Sequence, residues 1–334
     1  MKILLITDAW RPQVNGVVTT LTHLVDQAKA HGDKIYVFSP SRCLIKIPCP
    51  GYPEIKLSWV NPLAVRRLVK RQTWDCIHIA TPEGPIGIAF ARTCRRLGIP
   101  FSTSCHTKFP EFVSAKLPWI KPAWGWRWMR HVYRDATHIL TTTDSMVREL
   151  KSWGFTQTIR SWTRGVDRDQ FYPDHNKNKQ PIFLCVSRVS VEKNLETFFK
   201  LDLPGRKIMV GDGPQLKQYR KQYPQVEFVG VKQGRELAQY YQQADVFVFP
   251  SRADTFGVVM LEAMACGTPI AAYDVTGPCD VVKSGVNGHL GEDLAEQAIK
   301  CLDLDRHTVF ESSLSYTWQN CYHQFVDILQ PKTV

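Results

Sequence analysis

Residues 244–269 read ADVFVFPSRADTFGVVMLEAMACGTP. Asp245 to Pro250 carries a short apolar run that predicts a buried parallel strand ending in a Pro-Ser turn. Ser251 to Thr255 is a polar loop opening a helix over about 256–265, and Gly267 and Pro269 stand where such residues stop helices. Asp254 falls at the helix entrance, and Glu262 lies just over two turns further on. The helix start around Phe256, Gly257 and Val258 offers unpaired backbone N–H groups and a positive dipole end, which suit a sugar phosphate. The two carboxylates can then accept hydrogen bonds from hydroxyls of a sugar and a ribose. A strand–helix unit whose acids merely cap and solvate would carry the same letters.

Working outward, the order strand, loop, helix, strand recurs along the chain and predicts α/β architecture with doubly wound parallel sheets. Strands are expected at 3–6, 35–38, 76–79, 101–104 and 138–141, and again at 182–186, 207–210, 226–229, 246–249 and 269–272. The polar stretch from Asp174 to Pro181 breaks the pattern and marks a hinge. The domains expected are 1–170, 171–312 and a last helix within 313–334. Two such domains leave a cleft at the carboxyl ends of their strands, where ligands bind.

The chain has 334 residues, enough for two cores. Ten scattered cysteines form no Cys-x-x-Cys pair, which points to reduced thiols in the cytoplasm. The start, Met1 to Ile6 followed by Thr-Asp, reads as a first strand and not as a signal peptide, and no apolar run reaches membrane-spanning length. The net charge of +11 is uneven: residues 1–170 hold 25 Lys/Arg against 12 Asp/Glu (+13), and residues 171–334 hold 17 against 19 (−2). Nucleic acid, an anionic membrane surface, an acidic substrate or a merely basic surface each fits that excess.

Several loops carry candidate chemistry. Asn15-Gly16 stands at a strand-to-helix turn, where a glycine lets backbone N–H groups approach a phosphate, although any tight turn looks similar. His106 follows a strand, and His78 and Glu83 are weaker candidates at the end of the preceding one. Arg188 and Lys193, five apart after a strand, can clamp a diphosphate, the first as a fork and the second as a point charge. A surface salt-bridged loop would show the same pair. Asp167-Arg-Asp169 and Asp303-Leu-Asp305 do not end apolar strands and read as structural, so no metal site is expected.

The segment from Asp254 to Ala263, DTFGVVMLEA, resembles the signature of the family 4 (group 1) retaining glycosyltransferases of GT-B fold: Glu, seven residues, Glu, with Phe-Gly after the first acid and Leu-Glu-Ala at the end. Asp254 replaces the first Glu, keeping its charge and losing one methylene of reach. Arg164-Gly-Val-Asp167, Gly211-Asp-Gly213-Pro214, Phe228-Val229-Gly230 and Gly277-Pro-Cys-Asp280 also match family segments, with Arg for Asn in the first and Asp for Glu in the last. The resemblance implies that Gly16 meets the donor diphosphate and the acceptor and that His106 meets the transferred sugar. It further implies that Arg188 and Lys193 hold the diphosphate, that Val229 lies near the base, and that Glu262 binds ribose and Asp254 the donor sugar. It implies no cofactor, the nucleotide sugar being a substrate, and a last helix crossing back to the first domain.

Lys116 to Arg134, KLPWIKPAWGWRWMRHVYR, carries five Lys/Arg, no acids and four of the ten tryptophans. At about 100° per residue, Trp124, Trp128 and Val132 share one face, Trp126, Met129 and Tyr133 lie beside it, and Arg127, Arg130 and Arg134 gather on the remaining arc. Such a helix can lie in an anionic membrane interface. A helix docked by its tryptophans to the core, with a solvated basic face, would read alike. The expectation is a cytoplasmic glycosyltransferase on the inner face of a membrane, moving a sugar (from UDP in preference to GDP) to a lipid or glycan acceptor, with no nucleic-acid partner. A soluble acceptor, a nucleotide-sugar epimerase and a silent nucleotide-binding scaffold remain as alternatives.

Overall fold

The computed structural model describes residues 1–13, 15–43, 45–49, 52–71, 73–116, 119–174 and 178–329. The middle of the expected hinge (175–177) and two residues of the basic tryptophan segment (117–118) lie outside them. The chain divides into two compact units, Met1–Thr163 joined by the segment from Trp318 onward, and Arg164–Thr317.

Unit 1 carries β1 (Lys2–Ile6), α1 (Gly16–Ala30), β2 (Lys34–Phe38), β3 (Ile45–Cys49), β4 (Tyr52–Trp59), α2 (Pro62–Arg71), β5 (Cys76–Ile79), α3 (Pro85–Leu97), β6 (Ser102–Cys105), α4 (Phe109–Lys116), α5 (Pro122–Tyr133), β7 (His138–Thr141), α6 (Asp144–Ser152) and β8 (Thr158–Ser161). Unit 2 carries β9 (Ile182–Val186), α7 (Leu195–Lys200), β10 (Arg206–Val210), α8 (Leu216–Gln222), β11 (Val226–Gly230), α9 (Gly234–Gln243), β12 (Val246–Phe249), α10 (Val258–Ala265), β13 (Ile270–Ala272), α11 (Pro278–Val281), β14 (Gly288–Leu290), α12 (Leu294–Cys301) and α13 (Arg306–Ser312), and α14 (Trp318–Leu329) returns to unit 1.

Each unit is built on a six-stranded sheet, ordered β2-β1-β5-β6-β7-β8 in the first and β11-β10-β9-β12-β13-β14 in the second, parallel throughout. Parallel strands covered on both faces need apolar side chains on both, which is why β9 and β12 read as unbroken apolar runs and are wholly buried. The strand order reverses between β1 and β5 in one sheet and between β9 and β12 in the other. The loops leaving those strands therefore diverge at each sheet's switch point, where open α/β sheets take ligands. All ten expected strands form, within a residue at either end. Edge strands β8 and β14 and the antiparallel pair β3–β4 are additional. β8 and β14 have a single buried residue each, so neither carries an apolar run.

The boundary between units falls at 163/164 and not at 170/171. Val166 N–H donates to the Tyr316 carbonyl (3.2 Å), Arg168 donates to the Ser313 carbonyl (2.8 Å), and Phe171 packs in the second core. Tyr316 thereby stays with unit 2, and the returning helix starts at Trp318. In unit 1, α14 packs on α1: Trp318 stacks on His23 with ring centroids 4.1 Å apart, Tyr322 bonds Asp33, and Phe325 is fully buried with Leu21, Leu24 and Trp162.

A long-range cap closes the first switch point. The N-cap of α3 is Gly84, which has no side chain to offer, and Asp8 from the end of β1 accepts from Ile86 N–H (3.2 Å) and Gly87 N–H (3.1 Å) instead. Burial pushes the Asp8 carboxyl up to about 6 against these bonds. A Cβ on Gly84 would lie 2.1 Å from Asp8 Oδ2. Gly84→Ala is expected to cost about 1–3 kcal/mol of stability, as overpacking of a fixed neighbour does. A thermal melt followed by circular dichroism checks this, and an unchanged midpoint would remove Asp8 as the cap.

Candidate functional site

The loops after β9 and β12 meet in unit 2. The first contains Arg188 and a 3-10 turn over Val191–Lys193, and Asn194 follows at φ 53°, a left-handed conformation that asparagine tolerates better than most residues. Asn194 Nδ2 donates to the Pro250 carbonyl (3.1 Å), and Lys193 Nζ bonds Asp254 Oδ1 (2.6 Å). Two neighbouring residues thus tie one loop to the other. About a quarter of each charged side chain in the pair remains exposed. Burial raises the Asp254 carboxyl, but the Lys193 ammonium outweighs it and holds the group below the usual range, so it is ionised at neutral pH. Asp254 Oδ2 is buried with no hydrogen-bond partner among the described residues. An ionised oxygen so placed is an acceptor waiting for a donor.

The helix starts two residues later than expected. Gly257, at φ 83°, is left-handed and cannot belong to a right-handed helix, so α10 begins at Val258 and Phe256 is buried ahead of it. Phe256 sits edge-on to Tyr316 (6.4 Å between centroids), and the Arg164 guanidinium lies 6.0 Å from its ring. Gly277, at φ 98°, brings a second loop against the first: a Cβ there would lie 2.6 Å from the Asp254 carbonyl oxygen. The segments 254–258 and 277–280 therefore form one surface with Lys193.

Glu262, one face down α10, accepts from the Tyr241 hydroxyl of α9 (2.9 Å), and burial pushes it up to about 7. Tyr241 lies 21 residues upstream of Glu262 and no spacing rule could have paired them. Arg188 is half-buried, its carbonyl receiving the Ser190 N–H (3.1 Å). Val229 stands apart on the outer strand β11, next to Gly230, whose carbonyl accepts the Gly211 N–H (2.9 Å).

In unit 1, Gly16 is the first residue of α1, whose cap Asn15 accepts from Val18 N–H (3.0 Å). His106 follows β6 with its ring edge-on to Trp162 (6.2 Å between centroids). His78 is corrected from a weak candidate to a core residue. Its two ring nitrogens meet the Ser102 and Ser104 hydroxyls (2.9 and 2.8 Å), Phe325 covers it, and burial drives its pKa down to about 3. Among the described residues no group of three or more His, Cys, Asp or Glu side chains converges where a metal ion would be held. Asp167 and Asp305 spend their oxygens on neighbouring N–H groups, of Asp169 and Thr308.

The tryptophan segment splits by face. Trp126, Met129 and Tyr133 are buried in the first core, with Trp126 Nε1 donating to Glu111 (3.0 Å). Trp124 is 64% exposed and Trp119 72%, and Arg127, Arg130 and Lys121 are exposed too. Between α4 and α5 an apolar groove of about 210 Å³ is lined by Phe109, Pro110, Val113, Ile120, Trp124 and Trp128.

Two parallel-sheet units of this topology are Rossmann-like halves, the architecture of the GT-B fold. Residues 14–170 match the family model described as Glycosyltransferase Family 4, and residues 167–302 the one described as Glycosyl transferases group 1. The chain belongs to the family 4, group 1 glycosyltransferases and transfers a hexosyl group from a nucleotide sugar. It is 27% identical over 310 residues to a GDP-mannose-dependent alpha-mannosyltransferase of Mycobacterium tuberculosis, covering 84% of this chain and 81% of the relative. It is 24% identical over 368 residues to an alpha-monoglucosyldiacylglycerol synthase of Streptococcus pneumoniae, covering 96% and 83%. Anabaena HepE, solved in complex with UDP, shares its fold with a TM-score of 0.71 at 17% identity, covering 98% of this chain and 99% of that one.

Proposed function

We propose that the chain is a retaining, metal-independent glycosyltransferase that moves a hexose from a UDP-sugar to a hydroxyl of a membrane lipid or lipid-linked glycan. The observation that carries the donor side is the Lys193–Asp254 pair, an ammonium beside a helix start with an ionised carboxylate whose second oxygen lacks a donor. In this reading Lys193, Arg188 and the Val258 end of α10 receive the diphosphate, Asp254 Oδ2 accepts a sugar hydroxyl, and Glu262 a ribose hydroxyl. Val229 lies by the base, and in unit 1 Gly16 and His106 meet the substrates. As the anomeric C–O bond to phosphate breaks, negative charge grows on the leaving oxygen, and preplaced cations and N–H groups stabilise it. The new glycosidic bond forms on the same face, and the acceptor proton passes to the leaving phosphate.

The outward tryptophans and arginines of α5, with the apolar groove beside them, support a lipid acceptor and peripheral attachment to an anionic membrane from the cytoplasmic side. The acceptor named for the pneumococcal relative is of the same kind. No helix among the described residues is long and apolar enough to cross a membrane. A second reading, GDP-mannose as donor, is favoured by the name of the mycobacterial relative.

Calorimetric titration with UDP and with GDP, in the presence of chelator, decides between them. Tight UDP binding without metal supports the proposal, GDP preference moves it to mannosyl transfer, and binding of neither overturns the diphosphate site. Cosedimentation with vesicles of anionic phospholipid is expected for the native chain. It should be lost when Trp124, Trp128, Arg127 and Arg130 are replaced together, with nucleotide affinity unchanged.

A further inference from the structure

At the carboxyl edge of the first sheet three elements converge on one hydroxyl. Glu83 lies in the turn after β5, Tyr133 is the last residue of α5, and Ser104 is on β6, two residues before His106. The Tyr133 hydroxyl meets Glu83 Oε1 and lies 3.1 Å from the Ser104 carbonyl oxygen. Tyr133 is fully buried.

A phenol carries a single hydrogen, whereas a carboxylate and a carbonyl are both acceptors. If Glu83 is ionised, one of the two contacts has no hydrogen in it. If Glu83 holds a proton, its O–H is donated to the Tyr133 oxygen, the Tyr133 hydrogen goes to the Ser104 carbonyl, and both contacts are filled. The groups around Glu83 favour the protonated form. Burial pushes its carboxyl up to about 7 against the Tyr133 hydrogen bond, which lowers it, and Asp8 at the end of β1 adds like charge. Cys105 on β6 has its thiol pushed far up by burial and so stays neutral, and Tyr133 is held neutral in the same way. Lys108, beyond His106, is engaged with Glu149 at 2.8 Å.

We propose that Glu83 and Tyr133 are positioning residues for transfer: the relay from protonated Glu83 through Tyr133 to the Ser104 carbonyl fixes the peptide leading into His106, and loss of the Glu83 proton releases it. The proposal rests on the reading above in that His106 meets substrate. It also gives α5 a second task, since the helix that presents Trp124 and Trp128 outward ends in the residue that holds the β6 loop.

Glu83→Gln is the decisive variant, because a carboxamide donates to Tyr133 at every pH. Native kcat is expected to fall as pH rises through about 7. Glu83→Gln should keep about half or more of the native plateau and lose that fall. Tyr133→Phe should lower kcat about tenfold with donor KM unchanged, the loss of roughly one well-placed hydrogen bond. An identical alkaline fall in Glu83→Gln, or unchanged kcat in Tyr133→Phe, would overturn the proposal. A readout without turnover is the ¹³Cζ resonance of labelled tyrosine, the Tyr133 signal being identified by its loss in Tyr133→Phe. It should move with a midpoint near pH 7 in the native chain and stay flat in Glu83→Gln, and a flat native signal would overturn the relay. If no nucleotide sugar is turned over at all, the proposed function falls while this titration still decides the relay.

Discussion

Replacing Lys193 by alanine is expected to lower turnover by about two to three orders of magnitude, the usual loss on removing one preplaced donor from a developing oxyanion. The ammonium is held 2.6 Å from Asp254 before any substrate arrives, so its position costs no reorganisation during the reaction. The same substitution strips Asp254 of its counter-ion, and that carboxyl then rises toward its desolvated value. Stability should fall as well, because about three-quarters of each side chain is buried and Asp254 is left there without its partner. Initial rates of nucleoside diphosphate release check the first effect and a thermal melt the second. Lys193→Arg keeps the charge with a different donor geometry and should recover part of the rate. Native turnover in Lys193→Ala would take the residue out of the transition state altogether.

The other large effect is on stability. Trp126→Ala removes a side chain 1% exposed, its stacking on Trp153 (5.6 Å between centroids) and its N–H bond to Glu111. A truncation of that size costs about 3–5 kcal/mol, and burial has already pushed the Glu111 carboxyl up before it loses its donor. Denaturant unfolding of unit 1 should show the loss directly. Trp124→Ala, two residues away and outward, should stay within about 0.5 kcal/mol of native stability. The pair separates packing from surface binding: one substitution costs folding, while the other belongs to the set whose joint replacement is expected to cost vesicle binding. A Trp126→Ala chain as stable as native would contradict the observed core.

The central strands were legible because burial on both faces forces apolar runs such as those of β9 and β12, and little else in a polar chain produces them. The helix start was read two residues early because apolar periodicity runs through Phe256 and Gly257, whereas the left-handed backbone at Gly257 leaves no periodic trace. Lys193 and Asp254 were separately visible as charged residues after strands. Their direct pairing was not, since it depends on β9 and β12 being neighbours, and that neighbourhood is fixed by the sheet order. The same limit hid the Asp8 cap, the Glu83–Tyr133 contact and the Tyr241–Glu262 contact, each joining residues from separate elements. His78 looked like a ligand-facing residue because strand ends attract function, yet the hydroxyls that satisfy it come from the adjacent strand.

The return of α14 to unit 1 sets an order of events during synthesis. Leu21, Leu24 and Trp162 leave the ribosome early, but Phe325 and Tyr322, which cover them, follow more than a hundred and fifty residues after Trp162. At elongation rates of about 5–20 residues per second that interval lasts on the order of 10–30 s. Unit 2, continuous from Arg164 to Thr317, has all its own segments in hand before the first unit does. The nascent chain therefore completes its second unit first, and meanwhile an apolar face of the first stands open to chaperones.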